Sequence, residues 1–446
     1  MTTLTRRNIL TGLAATALAS AIPAEPQSTL SPADRKDAAA KLIAYFTTTA
    51  PQLLRPAEGI MQHPSIAPSL PGKEYSASLW DWDTLWTSTA LYRFAKINAD
   101  PAFHAKLNDH VQGSLLNFLD HQGSDGRLPI MMSGKSADPF KCLAPGPTPN
   151  PRNQAKPVFS QLALLAANEA SSTDWLAPHF DKLLNFYSSW TTNNQTPTGL
   201  FVWGDDVAIG DDNDPTTFGR PDFSSANLLL NTLFYADLNA AAELAKRLNR
   251  ASDQNNLSAQ AGVLGAAILK HGWDSRDRFF YTVDVQCVDQ RMKVYGHAQG
   301  MKMSWNCLPL KVQLFTGFLP LWCNLATPEQ ATQLIRANYL ADDRLRANYG
   351  VRSLSNLEPM YAMDFSSNPS NWLGPVWIIV NYFAWKALSN YGFSAAANDL
   401  ADKTIALLAK DLDTNAALNE YYHPDTGAAL SHKGFMDWNM LVLEMI

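Results

Sequence analysis

The sequence predicts an all-α protein in which helical hairpins are stacked around a ring. Apolar residues recur at helical spacing in about a dozen segments. Short links alternate with long loops rich in Trp, Asp, Pro and Asn, and no Gly/Ser-rich or Pro-rich linker divides residues 30–446. We therefore interpret this stretch as one domain. A helical solenoid is the alternative, although we find no fixed repeat period of the kind solenoids have.

The first predicted helix has a well-marked start. Ser31 can accept hydrogen bonds from first-turn amides, Pro32 suits the first helical position, and Asp34 complements the helix dipole. An apolar stretch, residues 38–46, follows at helical spacing. Further helices are predicted near residues 84–97, 102–121, 156–170, 174–192, 222–237, 239–249, 256–271, 312–325, 328–339, 373–391, 394–410 and 434–446. The long loops between them are candidates for function because of their length.

The composition excludes several classes of protein. Of 446 residues, 46% are hydrophobic and 17% charged, which favours a large core over disorder. Lys and Arg number 35 against 41 Asp and Glu, so the charge pattern of a nucleic-acid-binding protein is missing. The 13 Trp residues indicate an aromatic core or a cleft that stacks flat ligands such as sugars.

Residues 1–24 have the pattern of a bacterial signal peptide. The pair Arg6-Arg7 precedes an apolar stretch, Thr11–Ala21, that ends in a small-residue cleavage site. The paired arginines favour a twin-arginine signal, and a general secretory signal is the alternative. The apolar run is shorter than the roughly 20 residues that span a bilayer. We therefore expect a periplasmic or secreted protein, residues 25–446, with no membrane contact after cleavage.

A first cluster of indoles and carboxylates precedes the second predicted helix. It comprises Trp80, Asp81, Trp82, Asp83 and Trp86. Two adjacent carboxylates are costly to bury, whereas in a cleft they can accept hydrogen bonds from sugar hydroxyls while the indoles stack on the ring. The alternative interpretation is a helix cap with tryptophans packed beneath it.

A second cluster crowds carboxylates into one loop. Trp203-Gly204-Asp205-Asp206 is followed by Gly210-Asp211-Asp212-Asn213-Asp214-Pro215. Mutual repulsion raises the proton affinity of the least solvated carboxylate, which is the condition that a general acid needs near neutral pH. A calcium loop is disfavoured because the Gly and Glu of an EF-hand are missing. A solvated acidic turn is the remaining alternative.

Two later motifs complete the set. Trp372, Gly374-Pro375 and Trp377 precede a helix, and Trp377 and Asn381 lie at positions i and i+4 of one helical face. This helical face could bind a sugar or, alternatively, pack into the core. In the fourth motif, residues 419–427, a Pro-Asp-Thr-Gly turn leaves Glu420 and its neighbouring tyrosines on a short extended segment.

Together these motifs resemble glycoside hydrolase family 63 and its mannosylglycerate-hydrolase-like bacterial members, with the family 37 trehalases as more distant relatives. The most specific parts are Gly-Pro-Val-Trp with the downstream Asn381, residues 420–427, and residues 210–215. The resemblance covers essentially residues 25–446. It implies an (α/α)6 barrel, the six-hairpin glycosidase toroid, as a single domain.

The resemblance also implies an inverting hydrolase that cleaves an α-linked glucoside or mannoside. Asp212 matches the family's general acid and Glu420 its general base, although Asp211 leaves open which carboxyl donates the proton. No metal or cofactor is expected, and the partner is a small oligosaccharide or glycoside. The expected substrate-binding residues are Trp80, Asp81, Trp82, Asp83, Gln154, Trp203, Asn213, Trp372, Trp377, Asn381 and Tyr421.

Other activities occur on helical toroids. Sugar epimerases and isomerases abstract protons with histidine, and polysaccharide lyases cleave by elimination; fold alone does not choose among them. His297 and His432 could serve such a reaction. A sugar-binding protein without catalysis is a third possibility. Hydrolysis requires that Asp212 and Glu420 line one pocket.

Overall fold

Helices dominate the computed structural model, which describes residues 30–141, 143, 153–286, 307–364 and 369–446. The helices are α1 (Pro32–Thr49), α2 (Asp81–Asn98), α3 (Pro101–Asp120), α4 (Phe159–Ala170), α5 (Phe180–Asn194), α6 (Leu228–Arg247), α7 (Ala251–Gly272), α8 (Leu319–Trp322), α9 (Pro328–Ile335), α10 (Ile378–Asn390) and α11 (Ser394–Asn415). Short 3-10 segments cover Ala50–Leu53, Asp174–His179, Phe315–Phe318 and Trp438–Glu444, and a π-helical turn, Arg336–Leu340, follows α9. Within these described ranges, no helix has the length and apolarity needed to cross a membrane.

The start of α1 agrees with the sequence prediction. Ser31 is the N-cap, its Oγ accepts a hydrogen bond from the Asp34 amide at 3.2 Å, and Pro32 is the first helical residue. The cap satisfies an amide that has no partner within the helix.

Three helix pairs form hairpins with short links. Residues 99–100 join α2 to α3, residues 248–250 join α6 to α7, and residues 391–393 join α10 to α11, and in each pair the two helices pack together. Helix α1 packs against α11, and α2 packs against the Trp438–Glu444 segment. Elements from the two ends of the described chain therefore meet.

Several predicted helix boundaries are wrong. The helix predicted at 312–325 is a 3-10 segment followed by the four-residue α8, and the helix predicted at 373–391 begins only at Ile378. The sequence predicts separate helices at 222–237 and 239–249, whereas α6 runs unbroken through the buried Leu238, since no Gly or Pro interrupts it. Helix α6 begins at Leu228, later than the predicted residue 222, because Asn227 is its N-cap. The predicted helix at 434–446 reduces to the 3-10 segment from Trp438, because the backbone of Asp437 (φ −8°, ψ −108°) is far from helical.

Short antiparallel strands brace the loops. They are β1 (Leu54–Arg55), β2 (Ser65–Ile66), β3 (Ser78–Trp80), β4 (Met131–Ser133), β5 (Ser225–Ala226), β6 (Trp273–Asp274), β7 (Phe279–Phe280), β8 (Val283–Asp284), β9 (Leu308–Pro309), β10 (Arg346–Ala347) and β11 (Gly350–Val351). The pairs are β1–β2, β3–β4, β6–β7 and β10–β11, and β5–β8–β9 form a three-stranded sheet. In β3–β4, Trp80 pairs with Met131, and β3 leads directly into α2. This pairing fixes the entry of the first Trp/Asp cluster into its helix.

Aromatic rings fill the space between the helices. Phe118 lies 4.9 Å from Phe159, and Phe201 lies 4.3 Å from Phe234, measured between ring centroids. Part of the chain's aromatic content thus belongs to its core, where large rings contribute much of the buried apolar area.

Candidate active site

A cavity of about 520 Å³ collects residues from several distant loops. Both predicted catalytic carboxyls, Asp212 and Glu420, line it although they are more than two hundred positions apart in the chain. The full lining is Glu74, Tyr75, Trp80, Trp82, Asp83, Phe140, Lys156, Asp206, Val207, Ala208, Gly210, Asp212, Phe218, Pro369, Ser370, Glu420, His432, Phe435 and Trp438.

Glu420 lies on an extended segment held by backbone pairing. Its amide donates to the Ser431 carbonyl at 3.1 Å, and the neighbouring Tyr422 forms a bridge with Val376. The side chain is 4% exposed, and Nδ1 of His432 donates a hydrogen bond to its Oε2. The carboxyl is thus fixed at the cavity wall with one oxygen engaged.

Burial and a histidine act in opposite directions on Glu420. Burial raises the pKa of Glu420, the hydrogen bond and charge of His432 lower it, and the charge of Asp212 raises it; the net result is a pKa above the ordinary value. The Glu420 carboxylate in turn raises the pKa of His432. The Ser431 hydroxyl and the Tyr75 hydroxyl lie 3.0 and 3.4 Å from Nδ1 of that histidine. These contacts favour a charged pair at neutral pH.

The loop that carries Asp212 is organised by its neighbouring carboxyls. Asp214 accepts hydrogen bonds from the amide and hydroxyl of Thr216 and from Nδ2 of Asn227, at 2.7 to 2.8 Å. Burial raises the pKa of Asp214 to about 6. Asp211 is 1% exposed and does not line the cavity, and burial raises its pKa well above the ordinary value. Of the two adjacent candidates for the acid, Asp212 faces the cavity.

Asn213, predicted to bind substrate, instead connects two loops. Its Oδ1 accepts a hydrogen bond from the Trp372 amide at 2.7 Å, and its Nδ2 donates to Oδ1 of Asn371 at 3.2 Å. It does not line the cavity. The contacts fix the residue next to Asp212 relative to the Trp372 segment.

The first Trp/Asp cluster divides between the cavity and the interior. Trp80, Trp82 and Asp83 line the cavity, whereas Asp81 is fully buried and does not. The Asp81 carboxylate accepts from the Lys156 amide at 2.7 Å and pairs with its Nζ at 3.1 Å. Because α2 begins at Asp81, side chains two positions apart point to nearly opposite sides of the helix. The predicted contact between Asp81 and sugar hydroxyls is replaced by a buried ion pair.

Asp83 has a buried carboxyl partner that no sequence motif indicates. Asp437 is fully buried, lies next to Asp83, and accepts a hydrogen bond from the Thr87 hydroxyl at 2.7 Å. Burial raises the pKa of Asp83 to about 7 and that of Asp437 well above the ordinary value. Two such close carboxyls share a proton more readily than they both ionise.

Several residues predicted to bind sugar lie in the core instead. The rings of Trp372 and Trp377 stack at 4.0 Å with 6° between their planes, and Tyr421 packs on Trp377 at 4.6 Å. None of the three lines the cavity. The Tyr421 hydroxyl donates to the carbonyl of Pro369 at 2.6 Å, and Pro369 does line the cavity. These rings therefore pack in the core behind the residues that line the cavity.

Three further predicted residues also have structural contacts. Asn381 is fully buried and bonds to the Val351 amide and the Thr404 hydroxyl, so the face it shares with Trp377 points into the core. Trp203 is buried with its ring centroid 5.7 Å from that of Trp190. Gln154 is buried and its Oε1 accepts from Ser189 at 3.0 Å. Residue type and spacing were consistent with either the cavity wall or the core, and the burial of these three side chains places them in the core.

The structure adds cavity residues that lack a sequence motif. Tyr75, Lys156 and Trp438 line the cavity without having been predicted. His432, considered from the sequence only for epimerisation, also lines the cavity and contacts Glu420. A usable signal for His432 and Trp438 is their position shortly after the Glu420 motif. His297, the other histidine considered for epimerisation, lies outside the described residues.

The helical fold of this chain matches those of two solved structures, a family 63 hydrolase and a trehalase. A family 63 mannosylglycerate hydrolase of Thermus thermophilus, solved in complex with glucose, is 20% identical, with a TM-score of 0.62 over 92% of this chain and 98% of that one. Neutral trehalase Nth1 from Saccharomyces cerevisiae is 17% identical, with a TM-score of 0.61 over 86% of this chain and 74% of that one. The helical fold is shared with both.

Sequence comparison then identifies the family. The profile of the mannosylglycerate hydrolase MGH1-like glycoside hydrolase domain matches residues 94–436, so the chain belongs to this family. A mannosylglycerate hydrolase of Thermus thermophilus is 33% identical over 32% of each chain. Mannosylglycerate hydrolase MGH1 of Selaginella moellendorffii is 32% identical over 25% of this chain and 20% of its own. The matches therefore span a third or less of these relatives. The family predicted from the motifs is confirmed.

Proposed function

We propose that this protein is an inverting glycoside hydrolase that cleaves an α-linked glucoside or mannoside, with Asp212 as general acid and Glu420 as general base. The observation that carries the proposal is the presence of both carboxyls on one cavity. Membership of a glycoside hydrolase family and the relatives named for mannosylglycerate support the reaction and the sugar class.

The reaction needs two carboxyl groups in different protonation states. Asp212 donates its proton to the glycosidic oxygen as the bond to the leaving group breaks. Glu420 takes a proton from a water molecule that attacks the anomeric carbon from the opposite face. The hydrogen bond and charge of His432 lower the pKa of Glu420 and so favour the ionised base against the effect of burial.

The remaining cavity residues suit a sugar ring. Trp80, Trp82 and Trp438 offer indole surfaces for its apolar face. Asp83, sharing a proton with Asp437, can accept a hydrogen bond from a sugar hydroxyl or donate one to it. No step in this scheme requires a cofactor.

The test assays a panel of α-glycosides, including trehalose, kojibiose, nigerose and mannosylglycerate, with Asp212→Asn and Glu420→Gln. Each substitution should lower kcat by about 10² to 10⁴-fold. The matched controls, Asp413→Asn and Glu243→Gln, change exposed carboxyls and should retain activity. An active Asp212→Asn or Glu420→Gln variant would exclude that residue.

A second substrate distinguishes the two roles. Fluoride leaves without protonation, so Asp212→Asn should still hydrolyse an α-glycosyl fluoride, whereas Glu420→Gln should not. Proton NMR of the first-formed sugar should show the β-anomer if the reaction inverts. An epimerised or unsaturated product would contradict hydrolysis.

We further propose that the hairpins close into an (α/α)6 barrel over residues 25–446 and that residues 1–24 direct export to the periplasm. The contact of α1 with α11 and the similarity to family 63 and trehalase folds support closure. The Arg6-Arg7 pair with its apolar stretch supports export.

A further inference from the structure

Exposed hydrophobic side chains form part of the cavity lining. Phe140, Val207 and Phe218 are 40%, 44% and 52% exposed, and all three line this cavity. They are three of the seven large hydrophobic side chains that are exposed within the described ranges. Exposed apolar side chains scattered singly need no explanation, but their grouping at one site indicates a binding surface.

Two of these side chains flank the proposed general acid on its own loop. Val207 precedes Asp212 by five residues and Phe218 follows it by six. The Gly219 amide donates to Oδ2 of Asp206 at 2.8 Å, which closes the neck of the loop and brings the neighbours of these two residues together. Val207 and Phe218 therefore form one patch beside Asp212.

Backbone hydrogen bonds hold this patch in place. The Val207 amide donates to Oδ1 of Asp205 at 3.0 Å, and its carbonyl accepts from Nδ2 of Asn153 at 2.8 Å. The Phe218 amide donates to the Asp214 carbonyl at 2.7 Å. The backbone that carries the patch is thus held in place, so the loop does not have to become ordered when a ligand binds.

Phe140 extends the patch to the other Trp/Asp cluster. Its ring centroid lies 5.7 Å from that of the cavity-lining Trp80. The carboxyls of Asp83 and Glu420 lie on the same cavity, so it combines hydrogen-bonding groups for a sugar with exposed apolar groups.

The proposed role of Asp212 indicates which part of the substrate contacts the patch. A general acid protonates the oxygen of the leaving group, so the surface around it faces the leaving group rather than the sugar. Val207 and Phe218 lie on the loop that carries Asp212 and line the same cavity. We propose that the substrate is a glycoside with an apolar leaving group, an alkyl or aryl alcohol; this inference rests on the proposed function.

The test compares methyl, glyceryl and n-octyl α-glycosides of the sugar that the enzyme cleaves. With the glyceryl group attached through its primary O1, all three leaving groups are unactivated alcohols, so differences in kcat/KM report contacts of the leaving group more than its chemistry. Burial of the alkyl chain should raise kcat/KM for the octyl glycoside at least tenfold above that for the methyl glycoside. The glyceryl glycoside should resemble the methyl one.

A variant links this preference to the patch. Phe218→Ser should lower kcat/KM for the octyl glycoside at least five times more than for the methyl glycoside. Leu357→Ser is the matched control, since Leu357 is 71% exposed but does not line the cavity, and it should keep the wild-type ratio. Circular dichroism verifies that both variants are folded.

The outcomes separate the two proposals. Equal kcat/KM for octyl and methyl glycosides, or an equal loss on both in Phe218→Ser, would overturn the apolar leaving group while leaving hydrolysis intact. If the wild-type enzyme cleaves no α-glycoside at all, the proposed function fails and this inference fails with it.

Discussion

Replacement of His432 should move the acidic limb of the pH profile. His432 donates to Oε2 of Glu420 and lowers the pKa of this carboxyl, while burial and Asp212 raise it. Without the imidazole, the pKa of Glu420 should rise further. A base must be ionised to act, so as the pH is lowered, kcat/KM of the variant should begin to fall at a higher pH than that of the wild type. Activity on the plateau should change less.

The structure sets the size of this shift. The Glu420 and His432 side chains are 4% and 21% exposed, so solvent screens their contact only weakly. An opposite charge in direct contact changes a carboxyl pKa by about 1 to 3 units. Glu420 also raises the pKa of His432, which favours a charged imidazole beside the ionised carboxylate. We therefore expect His432→Ala to shift the acidic limb to a pH about 1 to 3 units higher. At pH values well below the limb, kcat/KM of the variant should then be about 10 to 1,000-fold lower than that of the wild type.

Three variants test the cause. His432→Asn keeps an N–H donor near the position of Nδ1 but has no charge, so its limb should lie between those of wild type and His432→Ala. His104→Asn is the matched control, because His104 pairs with Glu169 at 3.2 Å outside the cavity. The measurement is kcat/KM against pH, since this ratio reports the free enzyme. Coincident limbs for wild type, His432→Asn and His432→Ala would refute the reasoning.

Three further predictions concern positioning, stability and export. Asn213→Ala should lower kcat more than it raises KM, because Asn213 holds the acid loop without lining the cavity; steady-state kinetics showing only a higher KM would contradict this. Lys156→Met should destabilise the fold by about 3 to 5 kcal/mol in urea unfolding, since it leaves the Asp81 carboxylate buried without its cation, and adding Asp81→Asn should restore part of the loss. Replacing Arg6 and Arg7 by Lys should retain a reporter fused after residue 24 in the cytoplasm, as cell fractionation can show; unchanged export would exclude the twin-arginine route.

The sequence was informative where a motif and its contacts are local. The cap of α1 and the three short helix links follow from residues close together in the chain. Asp212 and Glu420 were predicted from loop motifs, and the structure brings both to one cavity. Their loops lie at helix junctions, where polar side chains are not needed for the core.

The sequence-based predictions failed where only tertiary packing determines whether a residue lies in the site or in the core. Trp372, Trp377 and Asn381 have the residue types of a sugar site, yet all three are buried in the supporting core. The same aromatic types serve both purposes, so composition cannot separate them. Conversely, His432 is separated by 357 positions from Tyr75, whose hydroxyl it approaches. No local pattern signals such a contact.

The acidic loop shows how the fold sorts residues that the sequence leaves equivalent. Asp205 and Asp214 accept hydrogen bonds that hold the loop, and Asp206 closes its neck. Asp211 is buried away from the cavity. Of these carboxyls, Asp206 and Asp212 line the cavity, and Asp206 also accepts a hydrogen bond from the Gly219 amide. The proposed mechanism assigns the proton to Asp212. Crowding alone could not make this choice, because it raises the proton affinity of every member, whereas burial and hydrogen bonding act on each one separately.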